Sequence, residues 1–119
     1  MQRDMDLVRD LMLRIEADPV LDGNRFIAFN KSDDFPGHSV DEVTYHVDLL
    51  LEAGLVKGHS GNPNPLISQL TWKGHEFLDD IRDPSIWASV KERTKGLTSV
   101  ALTVVAAVAE AEIKKKLGL

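Results

Sequence analysis

The sequence predicts an α+β fold, mainly helical with one β-hairpin, and three observations lead there. Apolar residues recur at spacings of three and four in several separate stretches. Two short apolar runs, Leu55-Val56-Lys57 and Leu66 to Trp72, flank a polar Gly, Asn and Pro loop from His59 to Pro65, as in a hairpin. The 119 residues, 43% hydrophobic and 28% charged, suffice for one domain with a real core and are too few for two large ones.

The first helix is expected over residues 4 to 17. Met5, Val8, Leu11, Met12 and Ile15 line one side, Asp4 stands as cap or first-turn acid, and Pro19 marks the end. Residues 18 to 38 are irregular: Asp22-Gly23 and Pro36-Gly37 are turn signals, and Arg25 to Phe29 is a short strand candidate. Ser39 then suits an N-cap, with Glu42 in the capping-box position. It opens a helix to Ala53 whose Val40, Val43, Val47, Leu50 and Leu51 form the apolar stripe, and Gly54 supplies the left-handed residue that ends it. After the hairpin, Lys73-Gly74 begins a helix with Phe77, Leu78 and Ile81 inward, broken at Asp83-Pro84 because the residue before proline avoids helical angles. Ile86, Trp87 and Val90 seed a short helix to about Lys95.

From Leu97 to Ala109 no residue is charged. This run is shorter than the roughly 20 residues a membrane span needs, so no membrane segment is expected. One side would carry Leu97, Ala101, Val104, Val108 and Ala111, the other Leu102, Val105 and Ala109. A helix apolar on both sides is expected between two bodies, and a second copy of the chain is the simplest second body, so a homodimer is expected. Lys114, Lys115 and Lys116 complement the negative end of that helix.

The net charge of −5 conceals a split. Residues 1 to 81 hold 15 acids against 7 Lys and Arg, a net of −8, and residues 82 to 119 hold 4 against 7, a net of +3. Between Lys31 and Lys57 there is no Lys or Arg, while Asp33, Asp34, Asp41, Glu42, Asp48 and Glu52 all fall there. The absence of Cys excludes disulfides, thiol nucleophiles and thiolate zinc sites; with a charged start that lacks signal-peptide character, it points to the cytoplasm.

The order helix, irregular segment, helix, Glu52-Ala53-Gly54-Leu55-Val56, hairpin, helix resembles a winged helix-turn-helix module. Tyr45 to Val56 is similar to the segment of many bacterial regulators in which a helix hands over to the wing. Nearly the whole chain resembles the small bacterial and phage proteins grouped as domain of unknown function 2513. The matching residues are Arg3 to Arg9, Tyr45 to Leu55, Leu70-Thr71-Trp72-Lys73-Gly74-His75-Glu76-Phe77-Leu78-Asp79, Ile81-Arg82-Asp83, Trp87 and Lys114 to Leu119. The resemblance implies a phage or mobile-element setting and no established activity, and it carries over no catalytic residue. A winged-helix-like domain over residues 1–82 and a helical, dimerising extension over 83–119 are therefore expected. A trihelical module would place a separate helix in 18–38, and the sequence holds none there.

Candidate chemistry is sparse. Glu42 with His46 and His75 with Asp79 stand at helical i, i+4 spacing, but no ligand pattern accompanies them, so hydrogen bonding is favoured and no metal or cofactor is expected. Gly58 to Asn62 lacks the Lys-Ser or Lys-Thr of a phosphate loop, and no serine sits in a nucleophile elbow, so no enzyme is expected. Trp72 and Trp87 are read as core or junction residues. The outward positions of the second helix are Asp41, Glu42, Tyr45, Asp48 and Glu52. A carboxylate about 4 Å from a phosphate costs on the order of 1 kcal/mol even in water, with no cation on that helix to release counterions in return.

Two functions follow as expectations. The first is a non-enzymatic protein-binding module of phage or mobile-element origin, a regulator or inhibitor of a host protein that uses the acidic helix and nearby loop as its contact face. The second is a dimeric DNA-binding regulator. Its contacts would be Lys57, His59, Asn62 and Asn64 of the wing with Arg3, Arg9, Arg14, Lys91, Arg93 and Lys95 elsewhere.

Overall fold

The structure is a computed structural model that describes residues 1–61, 63–97 and 100–119. It contains α1 (Met5–Ala17), α2 (Val40–Glu52), β1 (Val56–His59), β2 (Leu66–Leu70), α3 (Trp72–Ile81), α4 (Pro84–Thr94) and α5 (Leu102–Lys116), a mixed α+β fold compatible with a winged-helix-like domain and C-terminal helices. It forms two compact units, Met1–His75 and Glu76–Leu119, with the division inside α3.

In the first unit Asp4 caps α1, its Oδ1 accepting from the Asp6 and Leu7 amides at 3.0 and 3.2 Å. Leu7, Val8, Leu11, Met12 and Ile15 are buried, and α2 answers with Val43, His46, Val47 and Leu50. Ser39 Oγ accepts from the Glu42 amide at 3.0 Å, as the capping position requires. The far end of α2 closes as a Schellman turn: Gly54 has φ 74°, its N–H donates to Leu51, and the Leu55 N–H donates to Leu50.

The expected strand over Arg25 to Phe29 contracts to a single antiparallel bridge, Ile27 to Ile67, made by two backbone bonds of 2.9 and 2.8 Å. Phe29 and Phe35 are buried edge to face, with the Arg14 guanidinium over both rings, so the chain beyond Ile27 leaves the sheet to bury aromatic surface.

β1 and β2 pair antiparallel, Val56 to Leu70 and His59 to Leu66, with an irregularity between Lys57 and Gly58. Gly58 is required there, because a Cβ would lie 1.9 Å from the Leu66 carbonyl oxygen. β2 ends at Leu70, not at Trp72 as the sequence suggested. Thr71 breaks it: its Oγ donates to the Gly54 carbonyl at 2.6 Å and accepts from the Gly74 amide at 2.9 Å, which caps α3 and starts that helix at Trp72. Trp72 is consequently 78% exposed on the first turn of α3, where a core or junction position was expected of it, whereas Trp87 is buried.

In the second unit Phe77, Leu78, Ile81, Ile86, Trp87, Val90, Val105 and Ala109 are buried. Asp83 caps α4, and Pro84 occupies its first turn where no N–H is needed. The last helix starts at Leu102, so Leu97 and Ala101 precede it and do not share its face as expected. The side of α5 carrying Val105 and Ala109 is buried as α5 packs on α4, reinforced by Arg93–Glu112 at 2.7 Å and Lys116–Asp83 at 3.3 Å. Ala101 and Val104 are exposed and Val108 is half-buried.

Candidate functional site

α2 presents the residues nominated for partner contact. Asp41, Asp48 and Glu52 are exposed, and Glu42 and Tyr45 are half-buried. They divide by chemistry. Asp48 and Glu52, with Leu51, form one wall of an open groove of about 670 Å³ whose other wall is the wing, Val56 to Gly58 with Ser60 and Gly61. The groove has an acidic helix side and one cation, Lys57, on its wing side, with Leu51 and Val56 among its lining. Asp41 and Glu42 lie a helix length away, at the N-terminus, where carboxylates complement the helix dipole.

The wing borders a second hollow, about 350 Å³, lined by Ala28, Asn30, His59, Asn64, Leu66 and neighbouring loop residues. His59 stacks on Phe26 at 5.1 Å between ring centroids, and Phe26 and Leu66 are 46% and 38% exposed. Of the nominated wing contacts, Lys57, His59 and Asn64 are thus placed on the hairpin, and Asn62 lies outside the described residues.

The histidine pairs expected from spacing are not formed as expected. His46 is fully buried: its Nδ1–H donates to the Glu42 backbone carbonyl at 2.8 Å, and its Nε2 accepts from the Asp4 N–H at 2.8 Å. The ring is therefore the neutral Nδ1–H tautomer that bridges the start of α1 to α2. The Glu42 carboxylate turns instead to His38, Oε1 to Nδ1 at 2.9 Å, an i, i+4 pair that straddles the Ser39 cap. His75 lies 3.7 Å from Glu16, and Asp79 pairs with Arg82 at 2.9 Å. The spacing of His38 and Glu42 was visible in the sequence, but His38 precedes the helix, where helical spacing carries no expectation. Asp4, His38 and Glu42 form a mixed donor group that spacing along one element does not predict.

Several cations nominated for DNA are engaged with the chain itself. Arg14 covers Phe29 and Phe35, Arg93 pairs with Glu112, and Lys95 pairs with Glu92 at 2.6 Å. Asp80 is pushed above the usual carboxylate range by burial and by Glu110, Asp79 and Glu76, and Asp83 is held well below it by the Ser85 hydroxyl and the Ser85 and Ile86 amides. Both shifts have structural causes within the second unit. Among the described residues no helix is long and apolar enough to cross a membrane.

A helical body carrying a two-stranded hairpin beside an acidic helix is a mixed α+β domain compatible with the winged-helix-like class. The chain is a member of the family described as Hypothetical protein (DUF2513), which matches residues 2–101 and so ends just before α5. It is similar to a protein of Haemophilus influenzae described as "Uncharacterized protein", with 37% identity over 99 residues, 80% of each chain. No solved structure matches.

Proposed function

We propose that the protein is a non-enzymatic binding module for another protein, a regulator or inhibitor of a host protein carried by a phage or mobile element. The observation that carries this reading is the groove between α2 and the wing, where Asp48 and Glu52 stand on the side that a DNA-reading scaffold would turn to phosphates. Repulsion there is not offset by any Lys or Arg of α2. A partner with basic side chains matches the groove's acidic wall. The phage or mobile-element setting rests on the family resemblance alone. The exposed apolar residue Val104 supports a homodimer through α5.

The competing reading is a dimeric DNA-binding regulator, favoured by the exposed Lys57 and His59 on a hairpin of wing form. Fluorescence anisotropy of a mixed-sequence duplex at low and physiological salt decides between them. The protein-binding reading expects no binding at either salt, whereas affinity that falls steeply with salt overturns it. The triple substitution Asp41→Lys, Asp48→Lys and Glu52→Lys should abolish capture of a partner from host lysate. Under the DNA reading it leaves duplex binding intact or strengthens it.

A further inference from the structure

Asp4, His38 and Glu42 reach one point from three parts of the chain: the cap of α1, the loop before α2 and the first turn of α2. Each offers one ligand atom, and these atoms all lie within 4.8 Å of one another. We propose that they form a site for a divalent transition-metal ion of the zinc class, which would clamp the start of α1 to the start of α2.

The donor set is one imidazole nitrogen and two carboxylate oxygens. That mixture suits a borderline ion such as zinc, while calcium takes six or more oxygens. Three protein ligands are the number found in open zinc sites, and half-buried side chains leave the remaining position to water. Bonds of about 2.0 to 2.2 Å place neighbouring donors roughly 3 to 3.5 Å apart, and His38 Nδ1 and Glu42 Oε1 already stand 2.9 Å apart. An ion bound there takes the place of the hydrogen bond between those two atoms, the neutral imidazole ligating through Nδ1 and carrying its hydrogen on Nε2. Asp4 caps α1 with Oδ1 and keeps its second oxygen for ligation.

A separate feature fixes the ligands in place. The buried His46 ring grips the backbone of two of them, accepting from the Asp4 N–H and donating to the Glu42 carbonyl. Metal sites depend on such outer contacts for their geometry. Two helix N-termini meet at this point, and their partial positive charge opposes a cation. Binding therefore needs the imidazole and both carboxylates together, which makes the assignment sharply testable.

The full chain, stripped with a chelator, is titrated by calorimetry with zinc chloride and, separately, with calcium chloride. The expected result is 1:1 zinc binding, no calcium binding at the same concentrations, and a rise in melting temperature with zinc. His38→Ala and Glu42→Gln should each weaken zinc by about tenfold or more. His75→Ala, which removes a different surface imidazole beside a carboxylate, should leave it unchanged. Glu42→Gln keeps the shape of the side chain, and far-ultraviolet circular dichroism confirms that each variant is folded. Absence of zinc binding by the parent chain overturns the proposal, as does equal affinity in folded His38→Ala or a loss of affinity confined to His75→Ala.

Discussion

His46 is the residue whose role differs most from its look in sequence. A lone histidine four residues after a glutamate suggests a surface pair, yet its ring is 0% exposed and satisfies both nitrogens on backbone groups. Replacing it with alanine leaves a cavity and strands the Asp4 N–H. His46→Ala should therefore lower stability by about 2 to 4 kcal/mol in urea denaturation. A loss of a few tenths would mean that the ring contributes nothing beyond an exposed side chain. Two shifted aspartates of the second unit act in opposite senses. Asp80, whose carboxyl is pushed up, is destabilising wherever it is ionised: its contribution is best below the ordinary carboxylate value and is lost as pH rises through its raised range. Asp83, held down by its capping bonds, contributes stability above the ordinary value and loses it as pH falls through its depressed range. Asp80→Asn is expected to raise the melting temperature at pH 7, and Asp83→Asn to flatten its fall in acid, both read by scanning calorimetry across pH.

Among the elements, the join between α2, the wing and α3 is the most constrained. Gly54 ends α2, Thr71 Oγ donates to its carbonyl, Lys73 Nζ donates to the Ala53 carbonyl at 3.2 Å, and Gly74 lies flat on Leu55. A Cβ at Gly74 would fall 2.0 Å from the Leu55 carbonyl oxygen, and backbone cannot yield as a side-chain tip does. Gly74→Ala should cost about 1 to 3 kcal/mol by overpacking, measured by denaturant midpoint. Ala53→Gly, which leaves that approach open, serves as the milder control. The helical stripes and both ends of α2 were legible because capping and periodicity are local rules. The start of α3 was not, because Thr71 is bonded to Gly54, 17 residues earlier, and sequence spacing has no access to that contact. The last helix was placed too early for a related reason: an uncharged run shows where burial is possible, and α4 decides which part of it is helix packed against a partner.

For the whole molecule the question is what covers the outer side of α5. Val104 remains 43% exposed while Val105 and Ala109 are buried. On the proposed homodimer, Val104→Glu should yield a smaller species in light scattering with unchanged far-ultraviolet circular dichroism. An unchanged mass in the folded variant would remove α5 as the interface. The exposure of Asp41, Asp48 and Glu52 follows from the apolar stripe of α2, whereas Glu42 and Tyr45 are half-buried. The groove beside α2 was not legible in the sequence, because its second wall is the wing, and only the turn at Gly54 brings Val56 to Gly58 alongside Asp48 and Glu52.

By itself the sequence determined the helices, the hairpin, the acidic face and the family, because propensity, capping and periodicity act over a few residues and composition acts over all of them. Only the tertiary structure decided that His46 is a buried bridge, that Trp72 faces outward, that a predicted strand is one bridge, and that Asp4 meets His38 and Glu42. Each of these depends on atoms far apart in the chain, whose approach is set by the packing of α1, α2 and the wing rather than by any local pattern.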